Sequence, residues 1–138
     1  MGKLFRFGVS LNSELLKKFD ALLKRKNYTN RSKAIADLIR EEFVEEQWLE
    51  GGEVAGAITI VFDHHKRELV NKLMDIQHDF QQVIVSAQHI HLDHDNCLEI
   101  IAVKGRADDV KKLSNKMKAV KGIKHETVSM TTTGKGIR

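Results

Sequence analysis

The sequence contains no proline and only one cysteine, Cys97, among its 138 residues. A single cysteine excludes an intrachain disulfide framework, so we expect a chain that works in the reducing cytoplasm. No apolar run approaches the roughly 18–20 residues that a membrane-spanning helix requires. The opening residues MGKLFRFGVSLN lack the apolar core and cleavage site of a signal peptide, so we expect neither export nor a membrane partner.

The composition that remains is that of a folded globular chain. Hydrophobic residues make up 41% and charged residues 30% of the sequence, which is typical of neither disordered nor membrane-embedded proteins. A length of 138 residues allows one ordinary domain or two very small ones.

The net charge of +4 conceals a strong asymmetry along the chain. Residues 1–33 carry nine Lys or Arg against two acids, whereas residues 34–50 carry one Arg against six acids. Residues 51–138 are nearly balanced, with thirteen basic and eleven acidic side chains. A positive leading segment indicates an anion-binding head, most often one for nucleic acid, although a solvated lysine-rich face has the same charge.

Residues 1–50 carry the pattern of a strand followed by two helices. Apolar side chains alternate with Arg6, Gly8 and Ser10 over residues 5–11, which predicts a strand with one polar face. Helical spacing of apolar residues follows over 15–23 and again over 34–43. A lone strand has bare edges and cannot be stable, so this domain is predicted to pair with a second copy as an obligate dimer.

A second domain is predicted at 54–131, after a linker at 51–53 and before a flexible tail at 132–138. Strand patterns at 56–62, 83–92, 97–104 and about 123–131 alternate with helical stripes at 69–80 and 110–120. The order β-α-β-β-α-β is that of the ferredoxin-like split motif. The whole chain is therefore predicted to be α+β.

The polar face of the first strand is suited to reading DNA. Two such strands form a ribbon that fits the major groove, where arginine reads guanine and a hydroxyl reads several bases. The second helix begins with free backbone N–H groups that suit a phosphate oxygen. A plain dimerisation ribbon is the alternative. The candidate DNA contacts of this domain are Arg6, Gly8, Ser10, Asn30, Arg31, Ser32 and Lys33.

This first domain resembles the ribbon-helix-helix repressors. The resemblance rests on FRFGVSLN followed by NYTNRSKAI, in the order and spacing of that family, and it covers about a third of the chain.

A metal-ligand pattern lies in the second domain. His89 and His91 are two residues apart on a predicted strand, so their side chains project from one face, and Cys97 begins the next strand. Imidazole and thiolate ligands favour a borderline or soft divalent metal over Mg²⁺ or Ca²⁺. Three protein ligands with water as the fourth would make a catalytic zinc site, whereas a fourth protein ligand would close it. A buried inert thiol beside ordinary surface histidines is the remaining alternative.

Other residues of this domain have weaker signals. Glu99 follows Cys97 by two residues on the same strand face, so it is a candidate acceptor for a ligand imidazole, or else a free surface carboxylate. His78 near the end of the long helix is offset in sequence from the strand pair. The remaining histidines have no partner by spacing and are expected to be ordinary surface residues: His64, His65, His94 and His125.

Taken together, the two halves resemble the nickel-responsive transcriptional repressors over nearly the whole chain. The stretch QHDFQQVIVSAQHIHLDHDNCLEIIAVKG carries most of the resemblance, with NRSKAI in the first domain and HHKRELV in the second. The ligand positions of that family fall on His78, His89, His91 and Cys97. The resemblance implies one square-planar Ni(II) per subunit, with His78 supplied by a neighbouring subunit.

The resemblance also implies an assembly and further DNA contacts. It implies a homotetramer, a dimer of dimers, in which ACT-like regulatory domains carry two ribbon-helix-helix dimers. It implies base contacts from Arg6 and Ser10, with Gly8 where relatives often have a hydroxyl residue, and backbone contacts from Lys66 and Arg67.

A cation that some members bind between the two domains raises a separate question. Lys33 stands where those members have a carboxylate, which departs from the pattern of the family. A cation site is therefore not expected here, and the lysine ammonium is a candidate to replace the ion beside Asp37.

Strand length independently predicts a site shared between chains. His78 ends a helix that enters the next strand through the short turn Gln81-Gln82. Counting from Val83 to His91 at ~3.3 Å per residue gives roughly 26 Å, more than an imidazole can span. His78 is therefore predicted to reach the metal only from another chain.

The predicted function is that of a nickel-dependent repressor that binds double-stranded operator DNA, and not that of an enzyme. Ni(II) in the regulatory core promotes operator binding, and the resemblance implies that nickel uptake genes are repressed. The alternatives are a zinc-dependent enzyme, or a ribbon-helix-helix regulator that senses another metal or an amino acid.

Overall fold

The computed structural model describes residues 2–137, and its contacts divide the chain into two compact units between Ile39 and Arg40. None of the described helices is long and apolar enough to cross a membrane. The elements in chain order are α1 (Ser13–Arg25), α2 (Arg31–Glu50), β1 (Glu53–Asp63), α3 (Arg67–Asp79), β2 (Ile84–His91), β3 (Asn96–Arg106), α4 (Ala107–Lys118) and β4 (His125–Thr131).

The strand predicted at residues 5–11 is not formed in the single chain. Residues 2–12, as described here, form neither helix nor strand, and Phe5 is 85% and Phe7 73% exposed. The physical reason is the one that predicted pairing with a second copy: a strand needs a neighbour for its backbone hydrogen bonds, and the single chain offers none there.

The two helices of the first unit begin and end as their polar residues dictate. Asn12 caps α1 by accepting a hydrogen bond from the backbone N–H of Glu14 at 2.9 Å. Asn27 closes α1 with a left-handed backbone, φ 62°. Asn30 accepts from the backbone N–H of Lys33 at 2.8 Å, which caps α2.

Helix α2 continues past the first unit, and its last turns belong to the second. Trp48 is buried, and its indole Nε1–H donates to the carbonyl oxygen of Thr131 at 2.9 Å. The segment predicted as a linker contains a tight turn, with Gly51 at φ 79° and the N–H of Gly52 bonded to the carbonyl of Gln47. A large aromatic side chain thus ties the end of α2 to the sheet.

The second unit is a four-stranded antiparallel sheet with strand order β2-β3-β1-β4. Together with α3 and α4 this is the predicted ferredoxin-like βαββαβ arrangement, and every strand and helix predicted in 54–131 is present. Alternate residues of β1 and β3 are buried, among them Ile58, Phe62 and Ile101. They pack with Leu73 of α3 and Leu113 of α4 to form the core.

Candidate metal centre

The β2–β3 hairpin brings the predicted ligands to one end of the sheet. In the antiparallel register His91 lies opposite Cys97 and His89 opposite Glu99. Residues directly opposite each other point to the same face, and residues two apart do so as well. The four side chains therefore share one face of two neighbouring strands, as the spacing predicted.

Cys97 and His89 are in contact. The Sγ atom of Cys97 lies 3.8 Å from Nδ1 of His89, and the cysteine is 1% exposed. Burial raises the pKa of the Cys97 thiol, so the thiol is protonated at neutral pH before a metal binds. A metal that takes this sulfur as a thiolate must release that proton.

Glu99 is a buried carboxylate that holds His89 from the other side of the ring. Its Oε2 lies 3.1 Å from His89 Nε2, and its Oε1 accepts from the side-chain amide of Gln77 at 2.6 Å. With Nε2 facing a carboxylate acceptor, the other ring nitrogen, Nδ1, faces Cys97. The alternative of a free surface carboxylate is wrong, because Glu99 is 1% exposed.

The other two predicted ligands lie away from this contact in the single chain. The ring of His91 packs edge-on against that of His64, with centroids 4.9 Å apart. His78 is exposed on α3, where its Nδ1 lies 3.1 Å from the side-chain nitrogen of Gln81. Gln77, at the same end of α3, donates to Glu99, which lies opposite His89 in the strand register. The end of α3 therefore lies nearer to the hairpin side chains than the roughly 26 Å counted along the strand suggested.

The donor set fits a borderline divalent metal. Cys97 supplies a sulfur within 3.8 Å of an imidazole nitrogen, and soft sulfur with imidazole suits Ni(II), Cu(II) and Zn(II) rather than Mg²⁺ or Ca²⁺. The carboxylate behind His89 is the kind of partner that orients a metal-binding imidazole and raises its basicity. The hairpin has the chemistry of a metal centre.

The candidate DNA contacts of the first unit are all exposed. Arg6, Gly8 and Ser10 lie in the segment before α1, and Ser32 lies in the first turn of α2. Asn30 is committed to capping α2.

Two basic candidates at the start of α2 form ion pairs. Arg31 makes a two-pronged pair with Asp20 of α1, from Nε at 2.9 Å and from Nη2 at 2.8 Å. Lys33 pairs with Asp37 at 2.6 Å, and Asp37 also accepts from Tyr28 at 2.7 Å. The lysine ammonium thus stands against the carboxylate of Asp37.

In the second unit, Lys66 and Arg67 are exposed where α3 begins. The turn before α3 is shaped by Asp63, whose carboxylate accepts a hydrogen bond from the backbone N–H of His65 at 2.9 Å.

Three histidines that were expected to have no partner are clustered in the structure. His64 and His65 come from the loop after β1, and His94 comes from the β2–β3 loop. The rings of His64 and His65 lie 4.1 Å apart, and those of His65 and His94 lie 5.1 Å apart. The adjacent pair His64-His65 after an Asp was the available signal, but its partner lies about thirty residues on and no local spacing reveals it.

Comparison with known proteins decides the family. The profile of the NikR C-terminal nickel-binding domain matches residues 55–131, more than half of the chain. The chain belongs to this family. A NikR-type domain therefore contains the hairpin with His89, His91 and Cys97, together with Gln77 and His78 of α3.

Full-length relatives extend the NikR match to both units. A protein of Syntrophus aciditrophicus named as a nickel-responsive regulator is 59% identical over 97% of this chain and 98% of its own length. One of the same name from Chlorobium phaeobacteroides is 55% identical over 96% of this chain and 98% of its own length. These are names of regulators rather than enzymes, in agreement with the prediction.

A solved structure supports the fold over about half of the chain. An uncharacterized protein from Thermotoga maritima aligns with a TM-score of 0.51 and 16% identity, over 55% of this chain and 94% of that chain. At that identity the likeness speaks for the fold and not for the activity.

Proposed function

We propose that this NikR-family chain is a nickel-dependent transcriptional repressor that acts in the cytoplasm on double-stranded operator DNA. The proposal rests on two contacts of His89: one ring nitrogen faces the thiol of Cys97, and the other faces the buried carboxylate of Glu99. The names of its relatives and the family of its second unit support nickel as the metal.

The metal ligands in this proposal are His89, His91 and Cys97 of one chain and His78 of a neighbouring chain. Cys97 lies opposite His91 in the strand register, so His91 needs only to turn its exposed ring away from His64 to face the sulfur. His78 lies at an exposed position of α3 beside Gln81, where a second chain can approach it. Each subunit thus holds one Ni(II).

The assembly follows from two surfaces that the single chain leaves uncovered. The apolar side chains of residues 5–11 are exposed, including Val9 at 58% and Leu11 at 48%. Pairing these segments between two chains would form the ribbon and cover that surface. A nickel ion that takes His78 from a neighbouring chain would join the regulatory domains of two chains. Ribbon pairing and this shared nickel site together would build a homotetramer, a dimer of dimers.

DNA recognition is assigned to the paired ribbons. Arg6, Gly8 and Ser10 would face the major groove, with arginine to guanine as the most specific contact. Ser32 and Lys33, with the free N–H groups at the start of α2, hold phosphate oxygens and set the register. Lys66 and Arg67 of the second unit add contacts to the backbone that are independent of sequence.

The link between metal and DNA is thermodynamic. If nickel binds more tightly to the arrangement of regulatory domains that presents both ribbons to the operator, nickel increases operator affinity. By reciprocity, operator DNA must increase nickel affinity by the same factor. Repression of nickel uptake genes is the regulatory output expected of such coupling.

A gel-shift measurement with the full chain tests this function. We expect nickel to tighten binding to an operator fragment selected from random DNA, and Cys97→Ser to abolish the nickel effect. Circular dichroism and the oligomer size of the metal-free variant should match the wild type, because Cys97→Ser changes one atom. His125→Ala serves as the matched control, since His125 is exposed on β4 outside the proposed ligand set. Equal operator binding with and without nickel overturns the proposal.

A further inference from the structure

Trp48, the only tryptophan of the chain, lies near the end of α2 and packs into the second unit. Its side chain is 2% exposed and belongs to the same hydrophobic core as Cys97. The indole fits there because Gly56 of β1 has no side chain, since a Cβ at that position would lie 3.3 Å from the ring. A buried indole needs an acceptor for its N–H, and the carbonyl oxygen of Thr131 accepts that bond at 2.9 Å.

Further hydrogen bonds fasten the same end of α2 to α4. The ammonium of Lys111 donates to the backbone carbonyl of Trp48 at 2.8 Å, in the last turn of α2, where helix carbonyls have no partner within the helix. The N–H of Ala107, the first residue of α4, donates to the carbonyl of Gly52 at 2.9 Å. We call the bonds from Trp48 to Thr131 and Lys111 the Trp48 anchor.

Helix α2 is the element in which the chain passes from one unit to the other. It runs from Arg31 to Glu50, and the division between the units falls between Ile39 and Arg40. Residues 31–50 contain no proline and no glycine, the residues at which helices most often kink. Its first turn carries proposed phosphate contacts, and its last turn carries the Trp48 anchor. Coupling between two sites requires such a continuous element, whose arrangement both ligands bias.

We propose that Trp48 is a positioning residue for the nickel response: it fixes α2 to the regulatory domain, so that the nickel-bound arrangement of that domain reaches the DNA-binding domain. This inference rests on the proposed function and adds to it a residue through which metal and DNA are coupled. Trp48 belongs neither to the proposed nickel ligands nor to the proposed DNA contacts. Loosening the anchor therefore leaves both binding sites intact and weakens the factor by which nickel increases operator affinity.

Two substitutions loosen the Trp48 anchor by different means. Trp48→Phe keeps an aromatic ring beside Gly56 but removes the hydrogen bond to Thr131. Lys111→Met keeps an unbranched side chain but removes the bond to the carbonyl of Trp48. Lys112→Met is the matched control, because Lys112 is exposed at the next position of the same helix. The full-length wild type and the three variants are titrated with the operator fragment, with and without Ni(II).

We expect every variant to bind nickel like the wild type without DNA, and to bind the operator like the wild type without nickel. The factor by which nickel increases operator affinity should fall about fivefold or more in Trp48→Phe and Lys111→Met, and should be unchanged in Lys112→Met. By reciprocity, the factor by which operator DNA increases nickel affinity should fall by the same amount. A merely structural role would lower the melting temperature without changing this second factor.

The fluorescence of Trp48 gives a second measurement, because no other indole contributes to the signal. The indole should stay shielded from acrylamide in the metal-free and in the nickel-loaded wild type, since the anchor must be closed in the state that binds the operator. The proposal is overturned if nickel exposes the indole, or if both variants keep the wild-type coupling factor. Failure of the proposed function shows separately, as a wild type whose operator affinity does not respond to nickel, and this inference fails with it.

Discussion

The carboxylate of Glu99 and the imidazole of His89 face each other at 3.1 Å, Oε2 to Nε2, with the acid buried and the histidine largely exposed. Because Gln77 occupies the second oxygen of Glu99 at 2.6 Å, the carboxylate is held from the helix side and cannot swing away freely. His89 is thereby presented to Cys97 through Nδ1. A residue outside the proposed ligand set thus orients one that belongs to it.

Replacing Glu99 by glutamine tests this positioning role. Glu99→Gln keeps the volume and a polar group beside Gln77 but removes the charge that supports the imidazole. We expect nickel affinity at the hairpin centre to fall about 10–100-fold, as is usual for such supporting partners. The change is measured by nickel titration, in which the sulfur-to-nickel charge-transfer absorption of the Cys97 centre reports the bound metal. Glu126→Gln is the matched control, because Glu126 lies on β4 and accepts a hydrogen bond from Ser114 of α4, away from the hairpin. Equal losses in both variants would refute the role of Glu99.

Sharing of the nickel site between chains predicts complementation. His78→Ala and Cys97→Ala proteins should each lose tight nickel binding when alone. After joint refolding, a chain that keeps the hairpin ligands meets a chain that keeps His78, so a fraction of intact sites should reappear. Nickel titration of the mixture, with mass spectrometry to confirm mixed oligomers, is the measurement. Mixed oligomers without a restored tight site would mean that all ligands come from one chain.

The two basic side chains Arg6 and Lys33 should affect DNA binding differently. Arg6→Ala should cost ~1–3 kcal/mol of discrimination between operator and random DNA, as expected for a base-edge arginine. Lys33→Ala should weaken binding to both DNAs and reduce the slope of log affinity against log salt by about one. Competition binding at several salt concentrations separates these effects. Equal weakening of both DNAs by Arg6→Ala would exclude base reading by that residue.

The ion pair between Asp20 and Arg31 predicts a pH dependence of the first unit. The hydrogen bonds from Arg31 hold the pKa of Asp20 below its ordinary value. A carboxylate with a lowered folded pKa contributes stability fully above its unfolded pKa, about 4, and loses it as the pH falls through the folded value. Amide exchange in α1 at pH 6 should therefore be slower in the wild type than in Asp20→Asn. That difference should shrink progressively below pH ~4, and a constant difference down to pH 2 would contradict it.

The grouping of His89, His91 and Cys97 on the hairpin was predictable from sequence because side chains in a strand repeat every two residues. His89 and His91 lie two apart and Cys97 starts the returning strand, so one face had to receive all three. The same periodicity placed Glu99 beside them. The sequence could not show whether Glu99 is buried, since that depends on α3 packing over β3 and bringing Gln77 to its second oxygen.

Local sequence patterns thus determined the helices and strands of the second unit and the face on which the proposed hairpin ligands lie. The positive charge of the first domain can be read directly from its composition. Tertiary structure alone decided which distant side chains meet. His65 and His94 are separated along the chain by a helix and a strand, and they come together because the two loops lie at the same end of the sheet and share a hydrogen bond. The strand predicted at residues 5–11 could not be decided by sequence alone either. These residues carry its alternating pattern, but their backbone groups can be paired only by a second chain.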